Sequence, residues 1–241
     1  MKHAFALVLL LLIASNALAA DTNKSPAYPK PIAQKVTRDL DLKLFKIRVE
    51  ADGRLTSKRK LSAAEEEYLT GMREATFGDY VFDVKPGGIS GVSFALFCDA
   101  GASADPSCML ATPGNPEKST SIPGLRFAIP GDGCLYASGH ANSYFAERRK
   151  YCLTPAGALA EVSQPALYVG LKSKALKPVT LYAGRNLQTA VTTIAAKESL
   201  EVLLLQDDLY LVRDGFGLVG WAKLEAEQTA VDVDGLFFAG D

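Results

Sequence analysis

The chain has 241 residues, with 26 Lys and Arg against 27 Asp and Glu, for a formal net charge of −1 at pH 7. Charge so evenly balanced excludes a protein that grips a nucleic-acid backbone, which needs an excess of Lys and Arg on one face. The length suits one large or two small domains. Residues 1–19 have the form of an export signal. Met1-Lys2-His3 is a short positive start, residues 4–13 are apolar, and Ala17-Leu18-Ala19 is a small-x-small cleavage site, so the mature chain is expected to begin at Ala20. The apolar run is short for a bilayer span, no cysteine follows it to carry a lipid, and no later stretch is long enough for an integral membrane segment. The expected location is the periplasm or the cell exterior.

Residues 20–36 are polar and dotted with Pro26, Pro29 and Pro31, and read as a flexible leader. Residues 42–49 alternate as a strand, with a phase slip at Leu44-Phe45 that reads as a bulge. Asp52-Gly53 is a turn. Ser62 and Glu65 make a capping box, which predicts a helix over 63–75. Its apolar stripe, Tyr68, Leu69 and Met72, is narrow, so the helix should cover the side of something larger. Residues 80–84 and 92–98 read as a strand pair around Lys85-Pro-Gly-Gly88. Residues 99–124, rich in Gly, Pro, Ser and Asn, read as a long surface loop. The β pattern resumes at 125–129, 134–137 and 143–153, and Gly157 turns the chain into 158–162. Near Pro165 the composition shifts from loop-rich and cysteine-bearing to compact and aliphatic, which places a domain boundary between 37–165 and 166–226. Residues 231–238 read as one further strand, broken at Asp234-Gly235.

All four cysteines lie between these limits. Behind an export signal the default is two disulfides. Four cysteines allow three pairings, of which Cys98 with Cys108 and Cys134 with Cys152 each close a short, turn-rich loop. The spacings Cys-x9-Cys and Cys-x17-Cys lack the close pairs of a zinc site, so no metal is expected.

Residues 199–224 read as three consecutive antiparallel strands. Leu200, Val202 and Leu204 alternate in the first, 209–213 form the second, and Asp214-Gly215 turns into the third. Further landmarks are Leu181-Tyr182 before a Gly-Arg-Asn turn, and Gly220-Trp221 near the end. Over residues 167–226 this pattern resembles the bacterial SH3-like (SH3b) domain of exported, envelope-associated proteins. Leu209 stands where many relatives carry Trp. The resemblance implies a small β-barrel with Trp221 largely buried, in a module that accompanies a cell-wall hydrolase or recognises a wall or peptide ligand. The first 165 residues resemble no family in this way. The expected fold is therefore mainly β: a disulfide-tied β-rich domain with one helix, followed by an SH3-like barrel.

Candidate chemistry is sparse. His140 is the only histidine after the signal, and a dyad with Cys134 needs a free thiolate. Ser138 and Ser143 flank His140, but no Gly-x-Ser-x-Gly elbow presents either one. Asp232-Val-Asp-Gly235 lacks the remaining ligands of a calcium loop. A carboxylate pair of glycosidase type cannot be picked out from spacing. Lys58-Arg59-Lys60 and Arg148-Arg149-Lys150 read as solvated edges, or as contacts for an acidic wall polymer or partner. The candidate ligand contacts are Tyr182, Tyr210, Phe216 and Trp221, half of them expected in the core. The sequence thus reads as a non-enzymatic binding or adaptor protein for a peptide, a protein or a cell-wall ligand, with no cofactor. The alternatives are a cell-wall hydrolase, and an inhibitor that plugs an envelope enzyme through the loop 99–124.

Overall fold

A computed structural model describes residues 31–227 and 230–240. The expected signal, most of the leader and the cleavage site lie outside the described residues. In chain order the first strands are β1 (Lys35–Leu42), β2 (Phe45–Asp52) and β3 (Thr56–Ser57), followed by the helix α1 (Ala63–Thr76). Then come β4 (Asp79–Val84), β5 (Phe94–Asp99), β6 (Ser107–Thr112), β7 (Asn115–Pro123), β8 (Arg126–Ile129), β9 (Cys134–Gly139), β10 (Glu147–Leu153) and β11 (Leu159–Glu161). The C-terminal part holds β12 (Leu167–Lys174), β13 (Val179–Tyr182), β14 (Ala190–Ile194), β15 (Ser199–Gln206), β16 (Leu209–Asp214) and β17 (Val219–Ala222). A short hairpin, β18 (Ala226–Glu227) and β19 (Ala230–Val231), follows. The described residues are mainly β with one α-helix, as expected.

Two sheets make the first half. One runs β1-β2-β8-β9-β10-β11, antiparallel except where β8 lies parallel to β2. The other runs β3-β4-β5-β6-β7, antiparallel throughout. They share a core built from Ile47, Val49, Phe127 and Leu135 on one side and Val84, Leu96, Leu110 and Ile122 on the other. The helix lies on the outer face of the five-stranded sheet, with Leu69 and Met72 against Ala95, Phe97 and Ala111. Strand β5 serves both layers and is buried throughout. Its period of two sends Phe94, Leu96 and Cys98 to the core between the sheets and Ala95 and Phe97 to the helix. Both arms of the Ser62–Glu65 capping box are present, and Phe77 ends the helix in the left-handed conformation, at φ 59°.

Both disulfides join the expected partners, Cys98 with Cys108 and Cys134 with Cys152. Each links residues directly opposite one another on neighbouring antiparallel strands.

Several local expectations change. Residues 99–124 are not a long loop: β6 and β7 pair across a Pro113-Gly114 turn, with Gly114 at φ 77°. The segment through which the inhibitor reading would act therefore contains a paired hairpin. The phase slip at Leu44 is a two-residue turn between β1 and β2 rather than a bulge, with Lys43 at φ 63°. The leader is shorter than read, since Lys35 and Val36 already belong to β1. Strand β10 starts at Glu147, and Ser143 instead bridges to Ala239. Residues 231–238 are not one strand but a connection with an isolated bridge from Val233 to Ala175.

The C-terminal sheet runs β12-β15-β16-β17-β13-β14, and every neighbouring pair is antiparallel. It is open, with β12 and β14 at its edges; among the described residues no sheet closes into a barrel. One face carries the core, including Val179, Leu181, Leu200, Val202, Tyr210 and Val212. Val233 and Leu236 of the terminal segment pack into that core, as does Phe145 from the β9–β10 connection.

Candidate functional site

The opposite face of the C-terminal sheet carries an unusual row. Tyr168 on β12 pairs with Leu204 on β15, Leu204 with Leu211 on β16, Leu211 with Trp221 on β17, and Trp221 with Tyr182 on β13. Residues directly opposite on antiparallel strands point to the same face, so these five side chains form one line across five strands. None of them belongs to the core cluster, and all are at least partly exposed. A bulge places Leu204 there: the register shift between Val202 and Leu204 lets Val202 stay in the core while Leu204 faces out, whereas Leu181 and Tyr182 are consecutive and take opposite faces by the ordinary period of two. At the far end the Arg185 guanidinium lies 5.6 Å from the Trp221 ring centroid and pairs with Asp207.

Gly220 explains how β17 reaches β13. A Cβ there would lie 2.8 Å from the Leu181 Cβ and 2.9 Å from the Tyr182 carbonyl oxygen, so only glycine permits this approach. The Gly220-Trp221 pair is thus a packing unit: the glycine admits the neighbouring strand and the tryptophan faces out beside Tyr182.

A second row crosses the outer face of the six-stranded sheet. Asp39 on β1 lies opposite Arg48 on β2, Arg48 beside Arg126 on β8, Arg126 opposite Ser138 on β9, and Ser138 opposite Arg148 on β10. The two rows meet, because the Arg148 guanidinium lies 4.6 Å from the Tyr168 ring centroid. The Tyr168 ring folds back over Gly170, where a Cβ would come within 2.5 Å of it. A cleft of about 470 Å³ opens at this junction, lined by Arg48, Arg126, Ser138, Arg148, Gln164 and Tyr168 among others. A separate cleft of about 670 Å³ lies between α1 and β7, with Glu67, Asp99 and Glu117 among apolar side chains. Burial pushes the Asp99 carboxyl above its usual range.

Tyr182 and Trp221 sit side by side on the exposed row. Trp221 keeps only a minor part of its surface exposed, in line with the expected burial, but it does not belong to the core cluster of the sheet. Tyr210 is 5% exposed and belongs to the core, where burial pushes its phenol up to about 12. Phe216 is 91% exposed at the tip of the β16–β17 turn, away from the row. Asp214 shapes that turn, its Oδ1 accepting from the backbone N–H groups of Phe216, Gly217 and Leu218.

The other candidates are engaged locally. Cys134 is in a disulfide, and His140 Nε2 lies 2.9 Å from the Phe237 carbonyl oxygen with its ring against Phe237. Ser143 donates to the Phe145 carbonyl oxygen at 2.9 Å, while Ser138 lines the cleft. Asp232 accepts from the Glu225 N–H and pairs with Lys177. Among the described residues no group of three or more His, Cys, Asp and Glu converges as a metal site. In the basic cluster at 58–60 Lys58 and Lys60 are exposed, while Arg59 reaches inward to Glu65 and Asp83.

Tyr168, Leu204, Leu211 and Arg126 were invisible as site residues in the sequence. Each is unremarkable alone, and only strand register brings them into line. No protein-family model matches the chain, and no curated protein and no solved structure is similar to it.

Proposed function

We propose that this is an exported, non-enzymatic binding or adaptor protein of the periplasm or cell exterior. Its C-terminal unit is SH3-like and recognises a peptide, a protein or a cell-wall ligand. One observation carries the reading: Tyr168, Leu204, Leu211, Trp221 and Tyr182 make an unbroken apolar and aromatic line that contributes nothing to the core. Large apolar side chains kept out of a core and held in line are costly to leave in water and suit a ligand that covers them. The two disulfides fit an oxidising compartment. Among the described residues no helix is long and apolar enough to cross a membrane.

The test is retention of the mature chain on purified cell-wall material and on peptides enriched from a random display library. Trp221→Ala and Leu211→Ser should each weaken retention about tenfold or more, the effect of losing a central anchor. Retention that ignores both changes, or turnover of peptidoglycan by the protein, overturns the proposal.

A further inference from the structure

Charge accounting in the junction cleft points to a more specific ligand. Four arginines and one glutamate line it: Arg48, Arg126, Arg148, Arg149 and Glu50. Three of these are already matched. Arg48 makes a two-pronged pair with Asp39, at 2.7 and 3.0 Å. Arg149 donates to Glu147 at 2.6 Å and to both Glu161 oxygens at 3.0 and 3.1 Å. Glu50 accepts from Lys35 at 3.1 Å. Among the described residues, no carboxylate lies within ion-pair distance of Arg126 or Arg148. Two positive charges are therefore left on one concave surface, with the Ser138 hydroxyl between them in register.

We infer that Arg126, Ser138 and Arg148 form a carboxylate-binding site, and that its ligand is a peptide bearing an acidic group beside apolar side chains. This deepens the binding reading above and rests on it. A guanidinium is a planar fork of donors that matches a carboxylate in two-pronged fashion. Arg148 is preorganised for it. Its guanidinium is held against the Tyr168 ring, and the Gln164 side chain donates to its carbonyl oxygen at 2.9 Å, which ties the crossing segment to β10. Tyr168 belongs at once to the cleft and to the apolar line, so a ligand seated on the arginines must continue over Leu204, Leu211 and Trp221. An anionic polysaccharide or polyphosphate has no apolar groups for that line, and two unmatched cations are too few for a polyanion track. A peptide supplies both chemistries within a few residues.

The test uses fluorescence anisotropy with labelled heptapeptides, Gly-Phe-Leu-Xaa-Leu-Phe-Gly, on the mature chain. Xaa is Glu or Gln with an amidated end, or Gly with a free C-terminal carboxylate. The Glu or the free-carboxylate peptide should bind about tenfold or more tighter than the Gln peptide, the scale of a charge-assisted hydrogen-bonded pair. Whichever of the two binds tighter identifies the carboxylate as that of a side chain or of a chain end. The advantage should vanish in the double variant Arg126→Gln with Arg148→Gln, which should bind all three peptides alike. Trp221→Ala should weaken all peptides in equal proportion and keep the acid preference. Equal affinity for all three peptides in the unmodified protein, with Trp221→Ala still weakening them, overturns the carboxylate site and leaves the apolar line standing. No binding of any peptide overturns both. Polygalacturonate or inorganic polyphosphate binding more tightly than the acidic peptides overturns the assignment to a peptide.

Discussion

Arg59 holds two buried carboxylates at once, and this makes it the most consequential charged side chain in the first half of the molecule. Its guanidinium reaches Glu65 at 2.5 and 2.7 Å and Asp83 at 2.6 Å. Glu65 is fully buried and also accepts from the Ser62 N–H, the Ser62 hydroxyl and the Gly114 N–H. One carboxylate thus ties the helix N-terminus to the β6–β7 turn. The Arg59 hydrogen bond, aided by those from Gly114 and Ser62, holds the Glu65 carboxyl well below its ordinary value despite its burial. The folded state therefore favours ionised Glu65. That stabilisation is fully present above the unfolded value of about 4.3 and is lost as pH falls through the lower folded value. Arg59→Met should cost about 3–5 kcal/mol at neutral pH, because it leaves Glu65 and Asp83 buried without their cation. The cost should shrink on acidification as Glu65, deprived of its cation in the variant, protonates, and denaturant unfolding at pH 7 and pH 4 measures both. An aromatic pair gives a second check. Tyr210→Ala should cost about 3–5 kcal/mol as a core truncation, and partly exposed Trp221→Ala about half of that. Equal losses would place both rings in one core.

Elements set by local chemistry were legible, and those set by distant pairing were not. The helix follows from Ser62 and Glu65, three residues apart, and the structure places it one residue beyond the predicted end. The disulfides follow from short loop closure, and each now proves to staple adjacent strands. Thiol titration of the denatured, non-reduced protein should find no free thiol; two reactive thiols would contradict the pairing. The hairpin β6–β7 was hidden because β7 lies at a sheet edge. Its exposed residues Glu117, Lys118 and Ser119 need no apolar partner, and Pro116 is tolerated there. The Pro113-Gly114 turn was the available signal, and the loop-like composition around it masked it. Gly220 is the opposite case, a landmark seen early whose reason is steric and needed the neighbouring strand. Gly220→Ala should push β17 from β13 and destabilise the C-terminal unit by more than the ~1 kcal/mol of an ordinary strand glycine replacement. A gain in stability would mean the strands have room to part.

Across the molecule, two sheets that share no hydrogen-bonded strand present one continuous line of side chains. It starts at Asp39 and Arg48, crosses Arg126, Ser138 and Arg148, passes to Tyr168 through the stacked guanidinium, and ends at Trp221 and Tyr182. Its members are scattered from position 39 to position 221, so no window of sequence contains the site. The parallel contact of β2 with β8 brings Arg126 beside Arg48, and nothing local announces that pairing. The expected aromatic contacts captured one end of the line, Tyr182 and Trp221, and the basic run at 148–150 touched the other. Their junction depends on β10 lying beside β12. The most direct measurement is backbone-amide NMR mapping of the mature chain titrated with the Glu-bearing heptapeptide. Shifted amides should gather at Arg126, Ser138, Arg148, Tyr168, Leu211 and Trp221. Shifts gathered instead at the cleft between α1 and β7, around Met72, Asp99 and Pro116, would contradict that site.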